Sequence, residues 1–122
     1  MTPVSEPEPL WPGSLDALTA APGYHKVLLE NERVRVLDTR IAPGERTPIH
    51  THRWPAVFHV LSWSHFVRYD EQGKMLMDSR TVESLRTPPD VLWSGALPPH
   101  SLENVGETDL HVLSIELKDH QA

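Results

Sequence analysis

The chain contains no cysteine. That absence excludes disulfides, thiolate metal ligands and a cysteine nucleophile. It also has no excess of positive charge: 11 Lys and Arg stand against 17 Asp and Glu, a formal net charge of −6. An acidic surface repels polyanions, so neither nucleic acid nor an anionic membrane is expected as a partner. No apolar run approaches the roughly 20 residues that span a bilayer. Residues 1–9 are acidic and proline-rich, the reverse of a basic stretch followed by an apolar one, so no secretory leader is expected and the cytoplasm is the expected location. Helical periodicity is almost missing after Gly23, which excludes a helical bundle.

What is present is proline, histidine and short apolar runs. The length of 122 residues suits one domain with a real core. Residues 1–23 read as an arm, because Pro3, Pro7, Pro9, Pro12 and Pro22 oppose regular hydrogen bonding. Within it, residues 14–21 have the pattern of two helical turns, with Ser14 as N-cap and Pro22-Gly23 as the stop. Leu10, Trp11, Leu15 and Leu18 need a surface to rest on, so the arm is expected to pack on the barrel or on a second subunit.

Residues 24–122 read as strands. Runs at 25–29 and 33–41 are rich in β-branched residues. In the second, Val34 and Val36 share one face while Leu37, Thr39 and Ile41 share the other, which predicts a bulge or a strand apolar on both sides. Residues 42–45 form a turn. Residues 56–62 are apolar on both faces and are expected to continue into 64–69, before a hairpin at Asp70-Glu71-Gln72-Gly73. Short strands follow at 74–77 and 91–94, and a long last strand, apolar on both faces, at 110–117. Such spacing, punctuated by proline and glycine, predicts an all-β barrel or sandwich.

Chemistry concentrates at His50-Thr51-His52. Residues i and i+2 of a strand share a face, so both rings can reach one point. Neutral imidazole is the commonest ligand for Zn, Fe, Ni or Cu. His100, leading a second short strand after Pro98-Pro99, is the candidate third ligand. His59 is expected to face outward, opposite Phe58, unless a bulge turns it in as a fourth ligand. His65 and His111 are expected to be partly buried with one hydrogen bond, and His25 and His120 to be solvated. Asn104 is expected to orient a loop. Trp54, Trp63 and Trp93 lie near the motif positions, where they either line a pocket or pack. Arg35, Arg53 and Arg68 have the fork that fits a carboxylate, though surface solvation is the ordinary role of each.

Gly44, His50-x-His52, a strand, and then His100 with Asn104 resemble the two motifs of the cupins, small double-stranded β-helix (jelly-roll-like) barrels that hold a metal inside. The resemblance runs from about Val27 to Leu117. It implies a divalent metal (Fe, Zn, Ni or Mn) at His50, His52 and His100. The family places a ligand Glu four or five residues after the histidine pair, where this chain has Ala56 and Val57. A family Gly before the second motif is Leu97 here, and another after the first is Trp63. With the carboxylate missing, three neutral imidazoles leave the ion its full charge, which favours a small anionic metabolite.

Two readings follow. One is an enzyme similar to the three-histidine non-haem iron dioxygenases that act on thiols or β-dicarbonyls. The other is a non-enzymatic small-molecule-binding or interaction module in which the metal site has decayed. The chain is also similar in style to short cupins associated with β-alanine breakdown. Strands apolar on both faces would expose Val57, Leu61 and either Val112 or Leu113, so a homodimer is expected.

Overall fold

The computed structural model describes residues 11–118; residues 1–10 of the arm, with Leu10, and His120 lie outside the described residues. Nine strands form: β1 (His25–Glu30), β2 (Val34–Ile41), β3 (His50–His52), β4 (Ala56–Ser62), β5 (Phe66–Asp70), β6 (Met75–Asp78), β7 (Val91–Ser94), β8 (Leu97–Asn104) and β9 (Leu110–Leu117). They build a five-stranded sheet in the order β1-β2-β9-β4-β7 and a four-stranded sheet in the order β3-β8-β5-β6. Every strand pair is antiparallel. Inner-face residues of both sheets, among them Ile41, Phe58 and Leu110 from one and Phe66, His100 and Leu102 from the other, line one shared cavity. This is the expected all-β double-stranded β-helix.

Turn chemistry sets the connections. Asn31 Oδ1 accepts from the backbone N–H of Arg33 and Val34 at 2.8 and 3.0 Å, which closes the β1–β2 hairpin. Gly73, at φ +84°, completes the expected turn after Asp70, whose carboxylate accepts from Gln72 N and Lys74 N at 2.9 Å each. Gly44, at φ +80°, turns the chain toward β3.

Strand β2 pairs with β9 without a break from Val34 to Ile41. Leu37, Thr39 and Ile41 lie on the inner face, while Val34 and Val36 are half-buried on the outer one. The irregularity falls instead on the β1–β2 pair, between Val27 and Leu29. The run from residue 56 to 69 is not continuous either, since β4 ends at Ser62 and β5 starts at Phe66 in the other sheet. The linking residues Trp63-Ser64-His65 carry the chain across.

Asn104 pins that crossing. Its Oδ1 accepts from Ser64 Oγ at 2.6 Å and Gly106 N at 2.9 Å, and its Nδ2 donates to the carbonyls of Ile41 and Thr108 at 2.8 Å each. The loop-orienting role expected for it is what it performs. Beside it Ile41, Phe66, Leu85 and Leu110 form the buried apolar cluster.

The described part of the arm packs on its own barrel. Helix α1 (Ala17–Ala20) is a single turn preceded by a 3₁₀ turn at Gly13–Leu15. Its N-cap is Asp16, accepting from Leu18 N at 3.1 Å, and not Ser14. Ser14 falls inside the 3₁₀ turn, whereas Asp16 stands immediately before the helix and its carboxylate is held there by Arg35. Ala17 and Ala21 are fully buried, and Asp16 bridges to Thr51 of β3. Small side chains let the segment lie this close.

Candidate metal centre

His50 and His52 lie on β3, and all three of its residues are buried. Strand β8 pairs with it so that His100 is the register partner of His50. Their ring centroids are 4.4 Å apart, and His100 lies 5.7 Å from His52. The sequence motifs therefore meet as expected.

The surprise is His25. Expected to be solvated, it is only 5 % exposed, with its ring centroid 4.8 Å from His50 and 5.2 Å from His52. One nitrogen from each of His25, His50 and His52 lies within 4.8 Å of the other two. This metal-competent set contains His25, while His100 stands beside it against His50. Sequence offered only a faint signal, a histidine at the start of an expected strand; the register that pairs it with inward-facing Thr39 is set by the fold.

Each ring is tied at Nδ1. His25 donates to the Ala21 carbonyl at 3.0 Å, His50 to the Pro48 carbonyl at 2.8 Å and His100 to the Pro98 carbonyl at 2.7 Å. A carbonyl can only accept, so the proton sits on Nδ1 and Nε2 keeps its lone pair. His52 Nδ1 instead meets Glu116 Oε2 at 3.2 Å. Anchoring one ring nitrogen to an acceptor while freeing the other is how metal-binding histidines are oriented.

Burial keeps these rings neutral. It is the largest influence on each. With repulsion from neighbouring histidines added, His25 and His52 are pushed down to about 3 and His100 to about 2, while burial alone lowers His50. Neutral imidazole is the ligating form.

Behind His52 runs a buried ionic chain. Arg35 binds Glu116 through Nε, and its two terminal nitrogens hold both oxygens of Asp16 at 3.0 Å each. Burial pushes Glu116 up, and Arg35 pulls against it. In Asp16 burial also raises, but Arg35 outweighs it and holds the carboxyl below its usual range. Two carboxylates against one guanidinium leave a net negative charge beside the histidines, which suits a cation there. Glu116 is the register partner of Ala56. A carboxylate thus stands across the strand pair from the position where the family's Glu is missing, though it touches a ligand-type ring and not the ligand position.

The remaining expectations resolve one by one. His59 is exposed and faces away from Phe58, so no bulge brings it in. His65 Nδ1 pairs with Ser79 Oγ at 2.9 Å. His111 has two partners, Asp38 at 2.6 Å and Arg40 at 3.2 Å. Trp63 lines the cavity and packs on the apolar cluster. Trp54 lies under the cations of Arg35 and Arg53, at 4.9 and 4.6 Å, while Trp93 points out of the sheet, 63 % exposed. Of the three arginines, Arg35 is committed to its ion pairs and Arg53 to Trp54, while Arg68 enters the cavity wall. Solvation was the wrong expectation for Arg35 and Arg68. The cavity measures about 110 Å³ and adjoins His25, His50, His52 and His100.

No family model matches the chain, and no curated protein matches it. Solved structures do. A cupin domain from Bordetella pertussis aligns over 77% of this chain and 91% of its own, at 23% identity and a TM-score of 0.58. An RmlC-like cupin with a double-stranded β-helix fold from Methanocaldococcus jannaschii covers 76% and 77%, at 11% identity and a TM-score of 0.55. A conserved protein with a double-stranded β-helix domain from Klebsiella pneumoniae covers 80% and 78%, at 16% identity and a TM-score of 0.54. None of these three is described in connection with β-alanine breakdown, and that lead has no support. Strand order, inward histidines and these likenesses agree: the chain has the double-stranded β-helix fold of the RmlC-like cupins.

Proposed function

We propose that the histidine cluster holds one divalent metal ion and that the protein converts a small anionic metabolite in the cavity beside it. The observation that carries this reading is the shared tethering of His25, His50, His52 and His100 at Nδ1, which leaves the Nε2 atoms of a buried, neutral cluster free to ligate. Nitrogen donors suit Fe, Zn, Ni and Cu, and His25 joins or replaces His100 in the set first read from the motifs. Bound Fe(II) would supply oxygen chemistry, and bound Zn would polarise a substrate or water.

The chain's own residues do the rest. Glu116 and the Ala21, Pro48 and Pro98 carbonyls hold the rings in one tautomer. The apolar wall of Ile41, Phe58, Phe66 and Leu92 excludes bulk water from the ligand. We further propose that two copies pair through the outer face of the five-stranded sheet.

Metal analysis of purified full-length protein tests the core of this reading. About one equivalent of metal, lost in His50→Ala/His52→Ala and strongly reduced in His25→Ala but kept in His59→Ala, is the expected result. Oxygen uptake by the Fe(II)-loaded protein with small thiols, β-diketones or β-keto acids would identify the dioxygenase. Absence of metal even after loading would leave the non-enzymatic binding module instead.

A further inference from the structure

Three buried side-chain atoms lack a hydrogen-bond partner among the described residues: Thr39 Oγ1, Trp63 Nε1 and Arg68 Nε. All three residues line the same cavity as the histidines. Buried polar groups are nearly always satisfied, so three orphans on residues that line one cavity, from both sheets and the link between them, point to a missing partner. Two of the three atoms, Trp63 Nε1 and Arg68 Nε, can only donate. The partner they fit is rich in acceptors.

Strand β5 explains how the cation arrives there. Phe66 and Arg68 share its inner face, and Arg68 is the register partner of Leu102, two residues from His100. Facing it are Leu102 of β8 and Met77 of β6, neither of which can neutralise a charge. Asp70, the acid nearest along the strand, spends its carboxylate on the Gln72 and Lys74 amides. No carboxylate pairs with Arg68 among the described residues. Burial alone, with no ion pair opposing it, pushes the Arg68 guanidinium down. A structural arginine in such a place would be replaced by an apolar residue at a gain in stability.

We propose that Arg68 is the anion-recognition residue of the cavity, taking the carboxylate of a small aliphatic acid with help from Trp63. The inference rests on the reading that the cavity accepts a small anion, and it names the class. A guanidinium fork fits a carboxylate, and the Trp63 N–H offers a further donor. Ile41, Phe58 and Leu92 give the stem an apolar bed. At about 110 Å³, the space is of the order of the ~150 Å³ cavity that accepts benzene, so the acid has about six non-hydrogen atoms.

Butyrate is the probe, titrated by calorimetry into full-length protein, with and without Zn, and compared with butyramide and butylammonium. Butyrate should bind about 10- to 100-fold more tightly than butyramide, the range of a charge-assisted hydrogen bond. Arg68→Met should abolish that preference and raise the melting temperature of ligand-free protein, whereas Arg68→Lys and Trp63→Phe should weaken butyrate only in part. Equal binding of butyrate and butyramide to the natural protein would overturn the proposal without any variant, as would unchanged butyrate binding in Arg68→Met. Binding that requires Zn but not Arg68 would likewise overturn it and leave the metal reading intact. Arg68-dependent binding in protein that takes up no metal would support the proposal and remove the metal reading.

Discussion

The Glu116 carboxylate lies 3.2 Å from His52 Nδ1, although 64 residues separate the two in the chain. Glu116 is fully buried on β9, and its other oxygen is held by Arg35. The arm reaches the same ring through this chain of charges, because Asp16 clamps Arg35 from outside. It also reaches His25 directly through the Ala21 carbonyl. Residues 16–21 thus orient two of the histidines, and what reads in sequence as an appendage is part of the centre.

Replacing Glu116 should separate orientation from packing. Glu116→Gln keeps an acceptor for His52 but removes a charge, and metal affinity should fall about 10- to 100-fold with a small change in melting temperature. Glu116→Ala leaves Arg35 and His52 without their partner and should cost about 3–5 kcal/mol of stability. Chelator competition and thermal melts measure the two effects. Unchanged affinity in Glu116→Gln would show that His52 needs no such support.

Acid should unfold the metal-free protein early. His25 and His52 are near 3 and His100 near 2 when folded, against 6.5 when unfolded, so below pH 6.5 the unfolded chain binds more protons. Stability is therefore lost as pH falls from 6.5 toward 3. Asp16, lowered in the folded state, adds a loss in the same direction around and below its ordinary 3.8. Glu116 is raised and so works the other way, but it is one group against several histidines. Urea midpoints between pH 7.5 and 4.5 should drop steadily; a flat profile would contradict the buried neutral cluster.

A homodimer should form through a row that crosses the whole five-stranded sheet. Leu29, Val36, Ile115, Val57 and Trp93 are successive register partners and therefore share the outer face. Leu29 is 51 % and Trp93 63 % exposed, with Leu61 and Val91 nearby at 49 % and 57 %. Of the alternatives Val112 and Leu113, Val112 lines the cavity, so Leu113 is the outward one. Light scattering at micromolar concentration should report a dimer, and Trp93→Glu a monomer with unchanged metal content. A monomer in the natural protein would mean that this face is simply solvated.

How much was legible in advance follows the range of each interaction. The hairpin at Asp70–Gly73, the inward Phe58 with outward His59, and the convergence of His50 with His52 rest on spacings of a few residues, where backbone geometry alone decides. Motif resemblance extended this to His100 and to the barrel. The placement of His25 could not be read that way, because alternation says which residues share a face but not which face turns inward. That choice depended on the pairing of β1 with β2 and on the arm closing over it.

By itself, then, the amino-acid order determined the strands, their turns, the paired histidines and the absence of any thiol. Only the tertiary structure decided that His25 joins the cluster, that Glu116 supports it from β9, and that Arg68 faces the cavity with no acid among the described residues to meet it. The physical reason is that burial and ion pairing are set by what packs on the opposite side. For Glu116 and Arg68 those neighbours come from distant strands, which no local pattern of residues records.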